Sequence, residues 1–220
     1  MKALLWKDYR MNRVLLLVAF LFLVTPYIVG IGIRLNDPVP TGFWPETMAS
    51  SAIASMASSL LVISLLAANA FAGERADRSA EFLVYLPPSK ASILTSKLLI
   101  AGLTFVFLWG VNLIVVWIVD IQAEQRGLHL AEQCRFLLIT SVLVFAAGWA
   151  ASTVMSSPIG AWGIASAAPV AIGGAFMTSS YFFDVPTQNQ LVRWYSTSAL
   201  VLAAVAFVAS SLGYLRRVGP

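Results

Sequence analysis

Long stretches without charge constrain this chain more than any other feature. Six apolar runs, residues 14–33, 47–72, 98–119, 133–155, 159–178 and 194–214, occupy most of its 220 residues, and away from their ends none contains Asp, Glu, Lys, Arg or His. About 20 apolar residues in helical conformation cross a hydrocarbon layer. In that layer every backbone N–H and C=O must be satisfied within the protein, which leaves helices or closed barrels as the spanning structures. The chain is 59% hydrophobic and only 11% charged, whereas a soluble domain carries about 25% charged residues. The expectation is an all-α integral membrane protein, a single transmembrane domain of six helices spanning residues 1–220, with no room for a separate extramembrane domain.

The connections carry the charge. Residues 1–13 hold Lys2, Lys7, Arg10 and Arg13 with Leu5, Trp6 and Tyr9, a composition that suits a helix lying along the membrane surface. The run that follows is long enough to span and ends without a small-x-small cleavage site, so it reads as an uncleaved first span rather than a signal peptide. Pro26 is expected to kink it mildly, and Pro169 with Gly173-Gly174 leaves open whether the fifth span is continuous or broken, since freed backbone groups are tolerated only where protein or a cavity re-satisfies them. Residues 179–190, with aromatics beside Asp184, read as an interfacial or partly re-entrant connection. With both termini and residues 73–97 on one side, ten of the fourteen Lys and Arg residues fall there, against Arg34, Arg126, Arg135 and Arg193 on the other. The positive-inside rule makes the richer side cytoplasmic, in what reads as a bacterial cell membrane. Cys134, the sole cysteine, would then lie near the outer end of the fourth span, open to an impermeant maleimide.

The second run bears Ser51, Ser55 and Ser59 at successive i+4 positions. Small residues at this spacing allow close helix packing, and their hydroxyls can alternatively line a translocation path.

Residues 73–97 form a charged island between two apolar runs. At helical spacing Glu74, Asp77, Arg78 and Glu81 share one face, with Ala76, Ala80 and Leu83 opposite, until Pro87-Pro88 stops the helix. Composition alone allows an ordinary basic loop or a docking helix for a soluble partner. In spacing the segment resembles, without gaps, the loop after the second membrane span of ABC-2-type transporter permeases. Glu74, Ser79, Glu81, Leu83, Pro87, Ser89, Lys90, Ile93 and Lys97 stand at the matching positions, and Ala76 and Arg78 depart from the family's Glu and Gly. The resemblance implies a six-span, type V exporter-like permease bundle that pairs with a second permease subunit, as a homo- or heterodimer. It further implies a separate cytoplasmic ATPase that binds ATP and Mg and is contacted by the N-terminal helix and the coupling helix. Spans two and five would face the path between protomers.

Several chemistries are excluded on residue types. The chain has no G-x-x-x-x-G-K-[ST] stretch, so it is expected to bind no nucleotide itself and not to be an enzyme. One cysteine and one histidine, His129, make a Cys/His metal site improbable and an intrachain disulfide impossible. Its basic residues flank the apolar runs instead of forming one patch, which speaks for lipid contact and against nucleic acid. Two other classes share the composition: a non-transporting scaffold presenting a docking loop, and an ion-coupled carrier, the latter disfavoured by the absence of ionisable groups deep in the spans.

Overall fold

The computed structural model describes residues 2–36, 44–76, 89–123, 130–182 and 188–216. Among them are six long helices: α1 (Lys2–Leu35), α2 (Trp44–Ala76), α3 (Lys90–Ala123), α4 (Leu130–Val154), α5 (Pro158–Phe182) and α6 (Gln188–Arg216). All six are long and apolar enough to cross a membrane, so the chain is an all-helical integral membrane protein. The helices run past the expected spans at several ends, because polar residues continue a helix once it leaves the hydrocarbon. Asp77, Arg78 and Glu81, like residues 183–187, lie outside the described residues.

α2 and α4 form the centre. About 61% of the most apolar window of each is buried, against 11% for α1, α5 and α6, and α2 touches α1, α3, α4 and α5 while α4 also holds α6. Composition explains the arrangement. α2 and α4 are studded with Ala, Ser and Gly, which let neighbouring backbones approach. A Cβ on Gly148 would come within 3.2 Å of Ala67, Ala165 and the Ser64 carbonyl, so α2, α4 and α5 meet there closely enough that any side chain would push its neighbours aside by a few tenths of an ångström. The large residue of the centre is Trp149, fully buried among Phe71, Phe145 and Phe207, with its indole N–H donating to Ser211 Oγ at 3.3 Å.

Many hydroxyls of the spans bond back to their own helix, and a smaller set of hydrogen bonds crosses between helices. Tyr27 donates to Asn112 Oδ1 at 2.7 Å, tying α1 to α3. Trp162 donates to Ser64 at 3.0 Å, tying α5 to α2, and the Thr140 and Tyr195 hydroxyls join α4 to α6 at 3.1 Å.

Pro26 and Pro169 interrupt neither α1 nor α5, both of which are continuous helices. At Pro26 the compensation is visible. Proline lacks an N–H, so the carbonyl four residues earlier, that of Phe22, loses its intrahelical donor. Ser58 Oγ from α2 shares its one proton between Phe22 O at 3.1 Å and Ser55 O of its own helix at 3.0 Å, and Ser55 Oγ donates to the adjacent Leu23 O at 3.1 Å. A kink-prone site in one span is thereby mended by hydroxyls from the next. We expect Ser58→Ala to cost about 1 kcal/mol, and Pro26→Ala to relieve that cost by restoring the intrahelical N–H. In a thermal or SDS unfolding cycle the penalty of Ser58→Ala should shrink in the Pro26→Ala background; equal penalties in both would show that the serine does not serve the proline.

Candidate functional site

Residues 2–13, expected as a separate surface helix, are the opening turns of α1. No Gly or Pro separates them from the first span, and Asp8 shares its buried face with Ala19 and Leu23 at helical spacing. Its carboxylate, with the residue only 4% exposed, enters the bundle. There it accepts a hydrogen bond from Ser96 Oγ at 2.6 Å and faces Lys97 Nζ at 3.7 Å. Lys97 also pairs with Glu74 at 2.9 Å, and Lys7 forms a second ion pair with Glu74. Among the described residues, two acids and two bases from α1, α2 and α3 thus meet in balanced charge where the three helices leave the apolar zone. One turn further in, Asn69 donates to Asn12 Oδ1 at 3.0 Å and Asn12 donates back to the Asp8 carbonyl at 2.8 Å.

Local periodicity puts Glu74 on the docking face; in the structure it lies within α2 and, at 6% exposure, faces Lys7 and Lys97 of the same chain. The cause is local: two ammonium groups of the same chain sit beside it, and a carboxylate drawn out of water at this boundary needs opposite charges as partners. Arg75, next to it, reaches the other way. Its guanidinium donates to Ser152 O at 2.7 Å and Met155 O at 2.9 Å, satisfying carbonyls at the C-terminal end of α4 where a cation also complements the helix dipole. The end of α2 is thus bound on one side to α1 and α3 and on the other to α4.

The three serines of the α2 stripe are interior. Ser51, Ser55 and Ser59 are 4%, 0% and 1% exposed; Ser51 sits where a Cβ on Gly30 would collide with its hydroxyl, Ser55 donates to Leu23 O, and Ser59 donates to Ser55 O. Of the two roles open to this stripe, close packing is the one whose contacts exist within the chain. Cys134 is buried, so an unmodified chain offers an external maleimide little. Among the described residues no group of three His, Cys, Asp or Glu side chains is arranged to hold a metal.

Sequence reasoning passed over Asp8, Asn12, Asn69 and Ser96, and treated Lys7 only as a topology signal. The signal was present: Asp8 and Asn12 stand one turn apart on the face that carries Ala19 and Leu23, an acid and an amide where a surface helix would place apolar residues.

The cluster's balance generates a test. Removing Glu74 alone leaves two cations facing one acid, and breaking a buried pair this way costs on the order of 3 kcal/mol. Removing Glu74 and Lys97 together leaves the Lys7 and Asp8 charges in balance. We expect Glu74→Gln to lower the unfolding midpoint more than the double variant Glu74→Gln/Lys97→Met does, measured by thermal unfolding in the same detergent. A double variant at least as unstable as the sum of its singles would contradict a coupled cluster.

The chain matches no protein-family model, no curated protein and no solved structure, so the residues and their arrangement carry the functional reading.

Proposed function

We propose that this chain is the membrane-spanning subunit of an ABC-2-type transporter, an exporter driven by a separate cytoplasmic ATPase that binds ATP and Mg. The observation that carries the reading is the register of residues 74–97 with the permease loop, nine positions without a gap, between the second and third long helices. Two structural facts support it. The chain has the six apolar helices such a subunit needs. The described helices flanking this loop are anchored near it: the last described turn of α2 makes the Glu74 and Arg75 contacts, and α3 begins about two turns before Ser96 and Lys97. A loop that receives force from an ATPase transmits it only if its bases are stiff, and charge pairs out of water at both bases supply that stiffness. A second permease subunit completes the transporter, and the transported molecule crosses between the two.

On this reading the docking contacts come from Asp77, Arg78 and Glu81, with Glu74 serving inside the chain. Coexpressed with its ATPase, the chain should copurify with it, and alone it should turn over no ATP. Asp77→Arg/Glu81→Arg should insert normally yet lose ATPase binding or the coupling of hydrolysis to transport, by about 2–5 kcal/mol if the contacts are buried and less at a rim. Glu74 is left out of the variant, since an arginine between Lys7 and Lys97 would damage the fold for reasons unrelated to docking. ATP hydrolysis by the isolated chain, or wild-type coupling in the double variant, would overturn the assignment. Sidedness is read separately, by placing a single exposed thiol with Gln133→Cys in a Cys134→Ala background: labelling from outside intact cells is expected, and labelling only in inside-out vesicles would reverse the orientation.

A further inference from the structure

The outward face of α1 carries an arrangement that neither the bundle nor the docking loop uses. Trp6, Tyr9, Arg10 and Arg13 stand at i, i+3, i+4 and i+7, one continuous helical face, and all four are exposed. Trp6 and Tyr9 stack loosely against each other at 5.7 Å. Among the described residues neither arginine has an ion pair, whereas Lys7 and Asp8 on the other side of the same turns are fully engaged.

The depth of these residues follows from the ion cluster. Asp8 is level with Glu74 and Lys97, which border the apolar runs of α2 and α3. The boundary of the apolar zone therefore crosses α1 near Asp8. Arg13 lies five residues further in, about 7.5 Å along the helix. An arginine facing lipid at that depth is costly unless it finds an anion. Side chains on a helix lean toward its N-terminus, which here is toward the aqueous side, so Arg10 and Arg13 rise to the level of Tyr9 and Trp6. That is where lipid phosphates lie, and where Trp and Tyr rings are favoured.

Below Arg13 the face turns apolar, with Leu17 65% and Phe20 54% exposed. Beside it a groove opens between α1 and α3, walled by Leu16, Phe20, Leu103 and Phe107. Cations and aromatic pair share one level and the apolar groove lies below them, the order of a lipid's phosphate region and its acyl chain. We infer that this face of α1 holds an anionic phospholipid in the leaflet at the α1 N-terminal end, its phosphate between Arg10 and Arg13 and an acyl chain in the groove between α1 and α3. The site stands on the membrane-spanning fold alone and is independent of the transporter reading.

The test uses the full chain in phosphatidylcholine vesicles with trace spin-labelled phosphatidylglycerol or spin-labelled phosphatidylcholine, reading the motionally restricted fraction of each. The wild-type chain should retain phosphatidylglycerol preferentially, and Arg10→Gln/Arg13→Gln should reduce that preference about fivefold or more, the weight of one cation near a charged surface. Lys90→Gln/Arg216→Gln, equal in charge lost but elsewhere, should leave it intact. Equal retention of the two lipids by the wild-type chain would overturn the site outright. A matching loss in Lys90→Gln/Arg216→Gln would reduce it to bulk charge. If Arg10→Gln/Arg13→Gln instead separates copies of the chain in vesicles free of phosphatidylglycerol, the face is a contact between copies and the lipid assignment is wrong.

Discussion

A polar group in a bilayer cannot turn to water, and that one restriction shapes this molecule from backbone to side chain. It makes the spans helical, since only then does each N–H meet a carbonyl within its own segment. The same restriction decides what happens at the exceptions. Pro26 removes a donor, and Ser58 replaces it on Phe22 O. Asn112 on α3 answers the Tyr27 hydroxyl while also donating to Leu108 O, so a buried amide and a buried phenol satisfy each other. Each such bond is worth little in isolation, about 0.6 kcal/mol on average within membranes. Their directionality matters more, because each selects one register of one helix against another.

Charges obey the restriction by position. In the described residues the ionisable side chains of α1, α2 and α3 that enter the bundle do so at one level, and there they meet their opposites: Asp8 and Glu74 against Lys7 and Lys97. Neutrality matters more than any single pair. A lone carboxylate at this boundary would be driven toward its protonated form, and a lone ammonium would snorkel outward and loosen its helix. Together they bind the N-terminal end of α1 to the chain's centre, so that this end continues into the bundle and does not peel away along the membrane surface.

The layout of the chain was legible from the sequence because it rests on long-range composition: six runs, their order, and the crowding of basic residues at their ends. Boundaries were less legible. Whether residues 2–13 form a separate helix depends on where Asp8 finds a cation, and that cation, Lys97, lies far along the chain. The fate of Glu74 was hidden for the same reason. Local periodicity puts it on a face with Asp77, Arg78 and Glu81, but periodicity is indifferent to whether a face points to a partner or to another helix of the same chain. The α2 serines were ambiguous until the carbonyls opposite them were known, since the freed Phe22 carbonyl is implied by Pro26 while its proximity to Ser58 is a matter of packing.

This ambiguity bears on how the end of α2 is held. Glu74 and Arg75 are neighbours in sequence yet point to opposite sides of α2, one to α1 and α3, the other to the carbonyls ending α4. A rotation of the end of α2 large enough to break one set of contacts must disturb the other, so small displacements of this end are resisted and larger ones are shared among four helices at once. Packing at Gly148 works in the same direction, since α2, α4 and α5 approach there too closely to slide independently. A displacement of the end of α2 therefore reaches the bundle through the central pair α2 and α4, to which α1 is tied by the Ser55 and Ser58 hydroxyls and by Lys7 to Glu74, and α5 by Trp162 to Ser64.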